Sequence, residues 1–221
     1  MIPISKPIIS HEEIRLVTEA VSSGWVSSMG HYIESFERGF AEFCGVRHCV
    51  AVSNGTVAIH LALKVLDIGE GDEVIVPDLT FVATANAVVL AGAKPVMADV
   101  RPSDWCMDPV AVARMVTPRT RAIIPVHLYG HPCEMDELRK IAGANNLSII
   151  EDAAEAHGAK YRGELVGGLG DCATFSFYGN KIITTGEGGA LTTNSDEIAR
   201  RARMLRDHGM SKDRQIGRAH V

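Results

Sequence analysis

The sequence predicts an α/β fold: a mainly parallel sheet with helices on both faces. Three observations carry this. Short apolar runs alternate with helix-like stretches over residues 48–209. Several of those runs have continuous apolar centres, such as "VIV" (74–76) and "AII" (122–124), as strands buried on both faces do. Polar and glycine residues gather just after the runs, where open sheets of this kind collect ligands.

Taken in order, "HCVAV" (48–52) reads as a buried strand, then "SNGT" and the helix-like "VAIHLALKVL". "DEVIVP" (72–77) is a second strand, closed by Pro77, and "FVATANAVVLAG" a helix ended by Gly92. "KPVMADV" (94–100), "RAIIPVH" (121–127) and "LSIIED" (147–152) are further strands, with a helical stretch from about Glu134 between the last two. "DCATFSF" (171–177) and "GALTTN" (189–194) are the final strands. "SDEIARRARMLRDHG" (195–209) is an amphipathic helix, with Ser195 and Glu197 suited to its start and arginines to its end.

Composition narrows the function classes. The chain of 221 residues is 46% hydrophobic and 22% charged, with a net charge of −5. Its basic residues are scattered, which leaves no footprint for nucleic acid or an acidic membrane. No apolar run approaches the roughly 20 residues that span a bilayer, and "MIPISKPIIS" lacks a signal pattern. The five cysteines form no CxxC pair and are odd in number. The expectation is a reduced, cytoplasmic protein with neither disulfides nor a metal site.

Several motifs have a chemical and an ordinary reading. In "SNGT" a strand meets a helix N-terminus, where backbone amides attract anions. Gly55 would let a phosphate approach and Thr56 would add a hydroxyl; the alternative is a plain capped turn. "IIEDAAEAHGA" ends a strand with Asp152 and Glu155, spaced three apart. They fit a capping box at the start of a helix, or a carboxylate that pairs with a protonated ring nitrogen. Phe81 is core packing or a stacking face. His127 and His157 are acid–base candidates or structural residues. In "FSFYGNKIITTGEGG", Lys181 is a phosphate ligand, a covalent nucleophile or a surface charge. "GNK" is not a Walker loop, and neither "GEGG" nor "GGLGD" has dinucleotide-binding spacing. Desolvation beside "FSF" and "II" would make Lys181 nucleophilic. Together, a phosphate cup, an acid for a ring nitrogen, a stacking aromatic and such a lysine are what pyridoxal 5'-phosphate requires.

The stretches "AVSNGTVAIHLAL", "GDEVIVPDLTFVATANAV", "IIEDAAEAHGAKYRG" and "FSFYGNKIITTGEGGALTTN" resemble the DegT/DnrJ/EryC1/StrS family of pyridoxal-phosphate-dependent sugar aminotransferases, most of all its GDP-perosamine synthase branch. The resemblance covers nearly all of residues 1–214. It implies the fold-type I large domain and assigns roles. Lys181 would form the internal aldimine, and Asp152 would pair with the pyridine nitrogen. Gly55, Thr56 and Ser176 would hold the phosphate, Phe81 would stack on the ring, and Glu155 would lie near the ring hydroxyl. The implied reaction moves an amino group from L-glutamate to a nucleotide-linked 4-keto-6-deoxy sugar. A sugar dehydratase or isomerase, or a non-catalytic domain of the same fold, is the alternative; lysine at 181, where related dehydratases carry histidine, favours amino transfer. The resemblance also implies that residues 1–215 are an N-terminal segment plus the large domain of a homodimeric protein whose small C-terminal domain is missing here. The "IGRAHV" of residues 216–221 fits nothing in the family and is expected to be a non-native tail.

Overall fold

The computed structural model describes residues 6–210; the expected tail lies outside them. A seven-stranded sheet runs in the order β1-β9-β8-β5-β4-β2-β3. Its strands are β1 (His48–Val52), β2 (Glu73–Pro77), β3 (Lys94–Ala98), β4 (Thr120–Ile123), β5 (Ser148–Asp152), β8 (Cys172–Ser176) and β9 (Gly189–Thr193). β9 alone runs antiparallel to its neighbours β1 and β8, so six strands share one direction and one carboxyl edge. The mainly parallel sheet expected from the sequence is therefore present.

Strand alternation sends successive side chains to opposite faces, and each face has its own core. Val74 and Val76 of β2 pack with α3 (Gly55–Val65), α4 (Ala83–Leu90) and α7 (Asp196–Arg206). Ile75, between them, faces the other way, toward α2 (His31–Cys44), α5 (Pro109–Met115) and α6 (Met135–Asn145). The apolar Val74-Ile75-Val76 centre of β2 follows from this double burial.

The helix ends obey their local chemistry. Asn54 caps α3 by accepting the Val57 amide at 2.9 Å, and Ser195 caps α7 through the Ile198 amide at 3.3 Å. α4 starts at Ala83, two residues later than the apolar pattern suggests, which leaves Phe81 on the preceding loop. α1 (His11–Ser22), α2, α5 and the short hairpin of β6 (Lys160–Tyr161) and β7 (Glu164–Leu165) are elements beyond those expected from the sequence. Nor does a helix follow Asp152: residues 153–159 form turns, and the capping-box reading of Asp152 and Glu155 falls with it.

Among the described residues no helix is long and apolar enough to cross a membrane. No group of three His, Cys, Asp or Glu side chains among them is placed to hold a metal.

Candidate active site

A cleft of about 380 Å³ opens at the shared carboxyl edge, where Asp152 ends β5, Ser176 ends β8 and α3 begins after β1. Gly55, Thr56, Phe81, Asp152, Glu155, Ser176 and Lys181 all line it. Residues spread over more than 120 positions of sequence thus meet because the strands that precede them end together.

The α3 side of the cleft has no room for larger residues. A Cβ added to Gly55 would stand 2.9 Å from the Ser176 Cβ, so the start of α3 lies directly against the end of β8. A Cβ on Gly189 would fall 2.3 Å from the Asn54 carbonyl oxygen, so the last glycine of "GEGG" lets β9 pass beneath the same turn. The result brings a helix N-terminus, the Thr56 hydroxyl and the Ser176 hydroxyl to one wall. That donor set suits a phosphate.

Asp152 sits at the cleft floor, 6% exposed. One carboxylate oxygen accepts the Thr84 hydroxyl at 2.7 Å and the other the Ala154 amide at 3.2 Å. Burial pushes this carboxyl above its usual range, and the two hydrogen bonds and the more distant Lys181 charge only partly offset that. An ionised carboxylate held this way favours a cation placed against it. Thr84, which fixes the carboxylate, was not singled out in the sequence; its spacing of four from Thr80, whose hydroxyl lies 3.0 Å away, was the available signal.

Lys181 projects from the irregular segment between β8 and β9, its side chain 14% exposed. Its Nζ stands 3.1 Å from Glu155 Oε1, while Glu155 Oε2 accepts the Tyr129 backbone amide at 3.1 Å. The amine is thus held at a defined point on the cleft wall and is no free surface charge. Phe81 is 73% exposed at the cleft, which excludes the core-packing reading.

The two histidines lie elsewhere. His127 is fully buried; its Nδ1 accepts the Cys133 amide at 3.2 Å and its Nε2 faces Glu151 Oε2 at 3.1 Å. Glu151 points away from Asp152, as adjacent strand residues must. It accepts the amides of Leu169, Gly170 and Gly167 at 2.7, 2.9 and 3.2 Å. This knot ties β5 to two loops. Replacing Glu151 by alanine strands several buried donors, and unfolding in urea is expected to show a loss of about 3–5 kcal/mol. His157 is packed among Phe40, Phe175 and Phe177, and neither ring nitrogen has a hydrogen-bond partner.

The residues present fit pyridoxal phosphate: an anion-binding wall, a buried acid that lacks a full counter-charge, an exposed aromatic face and a positioned amine. Comparison with known proteins points the same way. Residues 7–220 match the model of the DegT/DnrJ/EryC1/StrS aminotransferase family. The chain is 52% identical over 214 residues to a GDP-perosamine synthase of Caulobacter vibrioides, covering 97% of this chain and 58% of that protein. It is 43% identical to the Streptomyces venezuelae enzyme DesV, solved in complex with a ketimine intermediate, at a TM-score of 0.85 over 98% of this chain and 60% of that one. A Streptococcus pneumoniae protein described as a putative sugar aminotransferase, solved in its PMP form, superimposes with a TM-score of 0.92 at 32% identity, over 99% of this chain and 61% of that one. The chain therefore spans about three fifths of the length of these relatives, and it belongs to the DegT/DnrJ/EryC1/StrS aminotransferase family.

Proposed function

We propose that this chain forms the cofactor-binding large domain of a pyridoxal-phosphate-dependent aminotransferase that acts on a nucleotide-linked 4-keto-6-deoxy sugar, with L-glutamate as amino donor. The observation that carries the reading is the convergence of Lys181 and Asp152 on one cleft. The similarity to a GDP-perosamine synthase supports the substrate class. Bound in the cleft, the cofactor supplies an electron sink that makes a carbon-bound proton of the amino substrate acidic.

The protein's own groups do the rest. The α3 N-terminus, Thr56 and Ser176 bind the phosphate, and Phe81 covers a ring face. Asp152 presents its carboxylate to the ring nitrogen and holds a proton there; a cationic ring offsets the burial that raises the Asp152 pKa. Thr84 keeps the carboxylate oriented. Lys181 Nζ would hold the cofactor and, once free, would take up and return the substrate's proton as base and then acid. Glu155 Oε1, at 3.1 Å, anchors the amine when it is free.

On this reading residues 1–215 are the N-terminal segment and large domain, and the whole protein is a cytoplasmic homodimer. Its five cysteines are free and buried, which fits a reducing compartment. Adding pyridoxal phosphate to the chain is expected to produce a visible absorption band that Lys181→Ala abolishes. Persistence of that band in the alanine variant contradicts the assignment. In the whole protein, release of 2-oxoglutarate from glutamate when a keto sugar nucleotide is supplied separates transamination from dehydration.

A further inference from the structure

Two exposed aromatic side chains lie outside the cleft lining and adjoin it through the Tyr129 amide bond to Glu155. Trp105 is 52% exposed and Tyr129 75% exposed, and their rings meet edge to face with centroids 6.1 Å apart. Both residues hold left-handed backbone conformations, with φ of 60° and 51°. A bulky residue at such an angle is a genuine outlier, and an angle of this kind costs on the order of 1–3 kcal/mol. Burial repays this only in part at Trp105 and little at Tyr129, which is three-quarters exposed.

Each strained residue is nevertheless held firmly. Trp105 sits on a tight loop closed by the Val100–Met107 bridge. Its amide donates to the Arg101 carbonyl at 2.8 Å, and the Arg101–Asp104 ion pair, 2.6 Å long, braces the turn. Tyr129 is fixed by its amide bond to Glu155, the carboxylate that also anchors Lys181. A contact path therefore leads outward from Lys181 through Glu155 and Tyr129 to Trp105. Rigid, exposed aromatic faces built at a cost in strain beside a cleft mark a binding surface.

We infer that Trp105 and Tyr129 form a stacking subsite for the nucleobase of the nucleotide-linked substrate. The inference rests on the proposed function in one respect: the reacting sugar carbon lies at Lys181. The base is then the planar, apolar-faced part of the substrate at the far end from that carbon, and the pair stands on the outward path from the same lysine. Stacking of this kind is tolerant of base identity, because every base has a π-face.

Trp105 is its own reporter. Trp25 is the only other tryptophan, so Trp25→Phe leaves a single emitter. Titration of that variant with GDP is expected to change Trp105 emission saturably, whereas inorganic pyrophosphate does not. Tyr129→Gly accepts the left-handed angle without strain. It is expected to keep or raise the melting temperature while weakening GDP binding roughly 5- to 150-fold. Trp105→Asn, also suited to that angle, is expected to weaken GDP binding similarly, read by calorimetry. Equal responses to GDP and pyrophosphate, or unchanged GDP affinity in folded Tyr129→Gly, overturn the inference. So does an emission change that follows protein concentration instead of GDP, since a second copy of the chain would then cover the pair. The cofactor absorption band, read in the same samples, separates the two readings. Its presence without a GDP response removes only the subsite, and its absence contradicts the proposed function while a predicted GDP response still supports the subsite.

Discussion

Asp152→Asn is expected to lower transamination by the whole protein by about 10²–10³-fold or more, the scale of losing one preorganised electrostatic contact. The same change is expected to leave the cofactor-free chain as stable at neutral pH, or more so. Burial raises the Asp152 pKa, so the ionised carboxylate opposes folding, and this opposition grows as pH rises through the folded-state pKa. A neutral amide removes that term and keeps one acceptor for the Thr84 hydroxyl, giving up the longer bond from the Ala154 amide. Loss of activity with retained or increased thermal stability is the signature of a charge kept for a ligand. Parallel kinetic and melting measurements check it. A variant that unfolds readily while retaining activity contradicts the role.

The second large effect concerns acid. Burial first, and the Lys181 charge second, push His157 from its ordinary 6.5 down to about 4; the nearby Ser176 carbonyl offsets this only slightly. The unfolded chain then binds a proton that the folded chain refuses. The stability due to this residue is fully present above pH 6.5 and drains away as pH falls toward 4. At about 1.4 kcal/mol per pKa unit, the loss is roughly 3 kcal/mol. His157→Phe keeps a ring among Phe40, Phe175 and Phe177, removes two unsatisfied nitrogens, and is expected to flatten this part of the pH–stability curve. Urea unfolding at pH 7 and pH 4.5 measures both. An unchanged acid sensitivity in the variant would show that other groups cause it.

Much of this arrangement could be read from the chain. β5 and β8 were legible because apolar residues, Ile149 and Ile150 in one and Ala173 and Phe175 in the other, lead into polar ends that stand out. The seven site candidates followed from those ends and from the family resemblance, and the cleft brings them together. Less was visible where a residue's meaning depends on the partner it meets. "ED" at 151–152 looks like one acidic end, yet strand alternation sends Glu151 to a buried knot of amides and Asp152 to the cleft. The expected helix after Asp152 gave way to turns that place Glu155 on Lys181. Trp105 and Tyr129 lie on separate loops with no pattern linking them, and only their backbone angles and their meeting single them out.

The account depends on a Lys181 amine that takes up the cofactor's aldehyde beside an acid that keeps the ring charged. The most direct test is to load the chain with pyridoxal phosphate, reduce it with borohydride, digest it, and locate the added mass by peptide sequencing. The label is predicted on the peptide that carries Lys181, and it should diminish strongly in Asp152→Asn. Label spread over surface lysines such as Lys64 and Lys140, with the Lys181 peptide unmodified, contradicts the account.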